Sequence, residues 1–413
     1  MFTLFLALFV FVLAATLALA WLNLRHQEKE GHRVPPELAG VIESERLAQI
    51  ADYTRERARF GMLTRLVRSA GFAIFLFGGL LGAYDRFIGE LSGSFVKSGV
   101  LFFLGLAAAG AVLEIPFSLY QSFRIEARHG FNRMSLGLFF GDWLKSTLLS
   151  LVFIAGLSAA ALALVQAAPA SWWLFVWLLF VVFSVVIQFI SPYVIEPLFF
   201  KTEPLKVEGL TEEVRALSER AGVHLRRVLQ MDASRRSTHS NAYFTGIGRV
   251  KRVVLFDTLL TQMTHPEILA VLAHELGHWK KHHVLVRTLV SYGVSFAALF
   301  VLSRVSGTAF VPELVGASEL SFAARAVVLA TLASLLVFPL TPLFSAWSRH
   351  DEWEADRFAV ELSGLAPELA SALAKLSREN LANLHPHPLY AKFYYSHPPV
   401  PERIRKLRVS LPA

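Results

Sequence analysis

The sequence predicts a mainly α, multi-span membrane protein with a folded α+β domain on one side of the bilayer. Three observations lead there. Hydrophobic residues make up 54% of the 413-residue chain and charged residues only 17%, and the mean hydropathy of +0.49 is too high for a water-soluble protein. Seven apolar stretches are long enough to cross a hydrocarbon core of about 30 Å. Two polar segments interrupt or follow them, and the first contains His274-Glu275-Leu276-Gly277-His278.

The expected spans are residues 2–22, 69–84, 98–120, 146–167, 172–190, 284–303 and 322–344. The first lacks a basic flank and a cleavage site after Ala14, Ala15 and Ala18, so it reads as a retained helix. The second is short, and the third contains Glu114 and Pro116, which leaves those two the least defined. Basic residues sort by loop. They crowd between Arg25 and Arg68 and between Arg124 and Lys145, whereas the alternate loops carry little beyond Arg86 and Lys97. That asymmetry places the N-terminus outside and the C-terminus, with the His274 motif, in the cytosol. The net charge of +8 forms no stripe with interleaved aromatics, so the lipid bilayer is an expected partner and nucleic acid is not. There is no cysteine, so a metal would have to be held by histidine and carboxylate.

Residues 1–190 are expected to hold five spans and their loops, and 284–344 the sixth and seventh. Between and after these, 191–283 and 345–413 would together build one extramembrane domain. The connection 30–68 reads as a solvated or interfacial helix. In the first polar segment 211–221 reads as helix, and 227–231, 240–247 and 252–256 as strands. Asn241, Ala242, Tyr243 and Phe244 fall on the middle strand. They read either as an edge that accepts an extended peptide by strand addition or as an ordinary aromatic-rich strand.

Thr264, Pro266 and Glu267 open the helix that carries the motif, as cap, early proline and far end of a capping box. His274 and His278, four apart, share a face and can reach one Zn²⁺, while Glu275 points toward a water position. This is metallopeptidase chemistry; the alternative is a structural histidine pair. A third ligand must come from elsewhere, since Val284 stands where a metzincin would place its third histidine. On a continuous helix His282 and His283 lie too far along from His274 and read as solvated or interfacial residues. After the seventh span, Glu352 and Asp356 are four apart. They suit a ligand and the acceptor that fixes an imidazole, or else form a charged face beside the membrane.

Taken together, these motifs resemble the M48 zinc metallopeptidases, a gluzincin-like group, and within it the Ste24-like type I CAAX prenyl proteases. The resemblance rests on His-Glu-Leu-Gly-His, on Ser-Arg-x-x-Glu-x-x-Ala-Asp at 348–356, and on Ser-His-Pro-Pro-Val-Pro-Glu-Arg-Ile at 396–404. It extends to Glu126 with His129-Gly130-Phe131-Asn132, and to Glu196-Pro197-Leu198-Phe199. The resemblance implies seven spans around a large chamber closed at its cytosolic end by the peptidase domain. It implies one Zn²⁺ per chain held by His274, His278 and Glu352, with Glu275 as catalytic base. Asn241 and His397 match residues that hold substrate and help stabilise the reacting carbonyl; without the resemblance His397 would read as a turn residue. Arg403 is expected to tether the C-terminal loop, and Asp356 to support a ligand.

The substrate class it implies is a peptide or protein, prenylated or membrane-inserted, cut to release a C-terminal tripeptide. The rival reading is a membrane quality-control endopeptidase resembling the HtpX-like branch. A transporter or scaffold with structural zinc fits less well, since structural sites fill all four positions with protein ligands. A site-2-type intramembrane protease is disfavoured by Lys280 and Lys281 directly after the motif. The compact chain without an ER-retention ending is expected in a bacterial inner membrane rather than the endoplasmic reticulum.

Overall fold

Within lipid no water can satisfy backbone N–H and C=O groups, so the apolar stretches fold as long helices. The computed structural model describes residues 1–245 and 251–409. The membrane half opens with α1 (Phe2–Glu30), α2 (Ser44–Phe77), α3 (Leu80–Leu91), α4 (Phe95–Tyr120), α5 (Leu136–Ala167) and α6 (Trp172–Ile190). Both α4 and α6 continue into π-helical segments, Gln121–Glu126 and Ser191–Ile195, the second followed by α7 (Glu196–Phe199). The extramembrane half contributes α8 (Leu210–Arg220), α9 (Asp257–Gln262) and α10 (His265–Lys280). The chain then returns through α11 (His283–Val305), α12 (Phe310–Leu314) and α13 (Phe322–Val337). It ends in α14 (Thr341–Ser363), α15 (Ala366–Glu379), α16 (Pro388–Tyr394) and α17 (Val400–Val409).

Seven helical stretches among the described residues are long and apolar enough to cross a membrane, and the protein is an integral, multi-pass membrane protein. The first, fourth and fifth spans are longer than expected, reaching Glu30, starting at Leu136 and reaching Phe199, and the second and seventh differ more. The second span does not occupy 69–84: α2 begins at Ser44, absorbs most of the expected interfacial connection, and stops at Phe77. Gly79 breaks it with a φ of 82°, a left-handed conformation that glycine adopts without a Cβ penalty. The next helix, α3, has 12 residues and is too short to span. The seventh span runs on past 344 through a 3₁₀ turn (Phe338–Leu340) into α14.

Neighbouring spans pack in a chain, α1 on α2, α4 on α5, α5 on α6 and α6 on α11, while α13 touches α1, α3 and α4. The apolar windows of Trp172–Phe199 and His283–Val305 are 0% buried.

The strands β1 (Thr202–Pro204), β2 (Arg227–Met231), β3 (Ala242–Thr245) and β4 (Arg252–Phe256) form one sheet in the order β1-β2-β4-β3. β2 and β4 are parallel, and β3 runs antiparallel to β4 with Tyr243 opposite Val254. Positions 246 and 247 of the expected middle strand lie outside the described residues. The three-residue β1, at the other edge, carries no sequence pattern strong enough to be expected. A single apolar core joins Tyr53 and Ile50 of α2 with Val253 of the sheet, Leu272 of α10, Leu373 of α15 and Ile404 of α17.

The start of α10 is the expected capping box: the Thr264 N–H donates to Glu267 Oε2 at 2.8 Å, and the reciprocal bond is also present. Its far half crosses α14 at backbone contact. A Cβ on Gly277 would come within 2.9 Å of Ala355 Cα and 3.0 Å of the Ala355 carbonyl oxygen. Gly277→Ala should therefore destabilise the protein by about 1–3 kcal/mol, read as a lower unfolding temperature in detergent. Gly61→Ala in α2, where nothing lies within 4 Å, should be neutral or slightly stabilising because alanine is the better helix former.

Candidate active site

The crossing of α10 and α14 brings His274, His278 and Glu352 together. His274 Nε2 and His278 Nε2 are 3.2 Å apart. Glu352 Oε2 is 3.4 Å from His274 Nε2, and Glu352 Oε1 is 3.2 Å from His278 Nε2. A tetrahedral ion with bonds of about 2.0–2.1 Å holds its ligand atoms roughly 3.3–3.4 Å apart, so the imidazole pair and each histidine with its nearer Glu352 oxygen stand at metal-sized separations, and one ligand atom from each residue lies within 4.8 Å of the others. Glu352 is 3% exposed; its Oε2 accepts no hydrogen bond but lies 3.4 Å from Arg403 Nη1, which supplies the positive charge that a buried carboxylate needs.

The surrounding field favours a cation. Burial works against charge on His274, but hydrogen bonds to Asp356 and Glu352 outweigh it and carry the His274 pKa up to about 9. Asp356 Oδ1 lies 2.8 Å from His274 Nδ1. With that nitrogen donating its proton to Asp356, Nε2 is the one that would give up its proton to bind a metal in the triangle. Glu275, between the two histidines, is half-buried. Burial raises its pKa against the pull of the neighbouring imidazoles, which makes its carboxylate a better proton acceptor.

Arg403, on α17, is 5% exposed. Its Nε donates to Asp356 Oδ2 at 2.9 Å and its Nη2 to Asp356 Oδ1 at 2.6 Å, while Nη1 is 3.4 Å from Glu352 Oε2. The pairing ties the C-terminal helix to the acids of α14. The loop just before α17 carries His397, whose Nε2 is 3.2 Å from Glu352 Oε1 and whose side chain stays 60% exposed. It therefore borders the triangle with one side open to an incoming molecule.

A second anchor has no counterpart among the sequence-based expectations. Arg349, one turn before Glu352, donates to the carbonyl oxygens of Ala391 at 3.1 Å and Tyr395 at 2.8 Å, and the Ser345 hydroxyl donates to that of Phe393 at 2.7 Å. These bonds fix the segment that leads to His397. The sequence offered a signal in Ser348-Arg349, although not its target.

β3 lies against α10 and is an edge of the sheet among the described residues. Asn241 is exposed at its start, and its Oδ1 accepts from the Ala242 N–H at 2.8 Å. The Ala242 side chain is buried. Tyr243 is committed elsewhere, its hydroxyl donating to Glu196 Oε2 at 2.8 Å, with burial first and Glu196 second holding the phenol protonated. Phe244 packs against the domain core. The side chains of 242–244 thus serve the fold, and the strand's free resource is its main chain.

His283 departs from expectation. Its place in the sequence reads as solvated or interfacial, and it is not solvated: it is 6% exposed and its Nδ1 is 3.0 Å from His278 Nδ1. The continuous helix that reading assumed stops at Lys280, and His282 turns the chain with a φ of 59°. No glycine marks that turn in the sequence.

The chain is similar to known proteins along nearly its whole length. Residues 23–201 match the family described as CAAX prenyl protease N-terminal, five membrane helices, and 204–410 match peptidase family M48. A CAAX prenyl protease 1 homolog of Arabidopsis thaliana is 33% identical over 91% of this chain and 90% of its own length. A Homo sapiens CAAX prenyl protease 1 homolog is 31% identical over 91% and 88%. The crystal structure of Ste24p from S. mikatae superposes with a TM-score of 0.88 at 28% identity, covering 98% of each chain. On the family matches, the shared fold and the His/Glu donor cluster, the chain belongs to peptidase family M48, among its Ste24-like members, and is an integral-membrane metalloendopeptidase.

Proposed function

We propose that this protein is a zinc endopeptidase that trims the C-terminal tripeptide from prenylated CAAX proteins at the cytosolic face of a bacterial inner membrane. The observation that carries the reading is the triangle of His274, His278 and Glu352, at metal-sized spacing with Glu275 beside it. Two imidazoles and one carboxylate, with no thiolate in the chain, form the donor set of catalytic rather than structural zinc. Zinc held there supplies Lewis acidity, lowering the pKa of a water and polarising a carbonyl.

The protein's own groups do the remaining work. Glu275 accepts the proton of the attacking water and returns it to the leaving amine. Asp356 holds His274 in one tautomer, and Arg403 neutralises Asp356 and part of the charge on Glu352. His397, whose Nε2 is 3.2 Å from Glu352 Oε1, would donate to the oxygen that gains negative charge as the carbonyl becomes tetrahedral. Asn241 and the edge of β3 offer main-chain hydrogen bonds to an extended peptide, which reads backbone rather than sequence. A substrate that carries its own lipid is delivered along the bilayer to a domain built on membrane helices, and the clustering of basic residues between Arg25 and Arg68 and between Arg124 and Lys145 supports a cytosolic site. The names of the relatives support prenylated CAAX substrates.

The decisive assay is cleavage of a farnesylated CAAX peptide by detergent-purified protein, beside the same peptide without lipid. Lipid-dependent release of the tripeptide is expected, abolished by a chelator and restored by Zn²⁺. Equal cleavage of both peptides would replace this reading with a general membrane endopeptidase of the quality-control kind. In the same assay Glu275→Gln should retain bound metal yet lose activity by a factor of about 10²–10⁴. His397→Ala should lower kcat by about 10²–10³ with little change in KM; a loss confined to KM would make His397 a binding residue only.

A further inference from the structure

The cluster behind His278 has no part in the chemistry above. His283 Nδ1 is 3.0 Å from His278 Nδ1, and its other nitrogen, Nε2, is 3.2 Å from Glu354 Oε2 and 3.9 Å from Asp351 Oδ1. Asp351 is 3% exposed and its Oδ2 accepts from Arg287 Nε at 2.8 Å. His283, Asp351 and Glu354 alone could be taken for a second cation site, since their ligand atoms all lie within 4.8 Å of one another.

Proton placement decides between a cation and a hydrogen-bonded support. His278 turns Nε2 toward His274 and Glu352. A neutral imidazole that gives Nε2 to a metal carries its hydrogen on Nδ1. That N–H meets His283 Nδ1, which must accept, so His283 carries its own hydrogen on Nε2. The Nε2–H then donates to Glu354, which is the partner found there. A cation on His283 Nε2 would force the hydrogen to Nδ1 and set two N–H groups against each other across 3.0 Å. The arrangement therefore accepts one metal and uses the second cluster to hold its ligand.

We infer that His283 is a positioning residue for the metal centre: it accepts the His278 Nδ1–H and, fixed by Glu354, sets the tautomer and ring orientation of that ligand. It stands to His278 as Asp356 stands to His274, one support per imidazole. The two supports come from different elements. Asp356 sits on the same helix as Glu352, whereas His283 opens α11, so the sixth membrane span ends directly on a metal ligand. Arg287, one turn further along α11, repeats the connection through Asp351.

The inference rests on His274, His278 and Glu352 holding the metal, so the test measures metal directly. The full-length protein is stripped with a chelator, and Zn²⁺ stoichiometry and affinity are determined by competition with a chromophoric chelator. The variants are His283→Leu, His283→Met and His283→Asn. The asparagine Oδ1 can take the place of the imidazole Nδ1 as acceptor, while leucine and methionine fill space without accepting. Wild type is expected to bind one equivalent. The two apolar variants should bind it about 10–100-fold more weakly, and His283→Asn should stay within about threefold of wild type. Unfolding of the metal-free proteins should be alike, separating loss of support from loss of packing. If His283→Leu does not fold, His283→Met, a flexible apolar fill, carries the same expectation.

Apolar variants that bind zinc like wild type would overturn the inference, as would an asparagine variant as weak as they are. A second equivalent in wild type that the apolar variants lack would replace it with a second metal site. A wild-type protein that binds no zinc would overturn the metal reading itself, a result distinct from the others.

Discussion

A carboxylate held out of water beside two imidazoles is the constraint to which the rest of this structure answers. Glu352 is almost fully buried, and an unpaired charge in that position would cost several kcal/mol. The protein meets the cost with a graded set of charges: two histidines against its oxygens, Arg403 behind them, and Asp356 balancing Arg403. All of them but Arg403, which reaches in from α17, belong to α10 or α14. The close approach at Gly277 is what lets the acids of α14 reach the histidines of α10, so the packing of two helices and the chemistry of the site are one problem.

The membrane half bears on the same crossing. α14 continues the seventh span, and α11 begins the sixth immediately after the turn that ends α10. The ligands therefore hang from the ends of two membrane helices rather than from a domain attached by linkers. The lower part of α2 enters the core of the extramembrane domain through Ile50 and Tyr53, and the Tyr53 hydroxyl donates to Glu126 at the end of the third span. A change in the tilt or separation of the spans would reach the site through packed side chains and ion pairs, without an intervening hinge.

Two parts of the site differ in how they are held. The candidate metal ligands His274 and Glu352 are buried, with Asp356 and Arg403 packed against them. His397 is open to solvent and depends on a loop fixed by Arg349, Ser345 and Arg403. This division suits hydrolysis, in which the metal must not move while the peptide enters and leaves past a more accessible donor.

Membrane class and the motif helix with its cap were legible in the amino-acid order, as was the placing of Glu352 and Asp356 on one helical face. These features are periodic or local: apolar runs set by bilayer thickness, a capping box, and side chains four apart on one face. Resemblance to a family then singled out Glu352, His397 and Asn241 where the residues alone left alternatives. The remaining features depended on contacts made in three dimensions. The extent of α2 followed from a break at Gly79 that hydropathy does not register, and the commitment of Tyr243 to Glu196 followed from sheet packing. The role of His283 turned on a left-handed residue at His282 that redirects the chain by one helix. Periodicity reports which face a residue occupies while a helix continues; where the helix stops, the next residue's position is set by contacts distant in sequence, here with Glu354 on α14, and no local pattern encodes them.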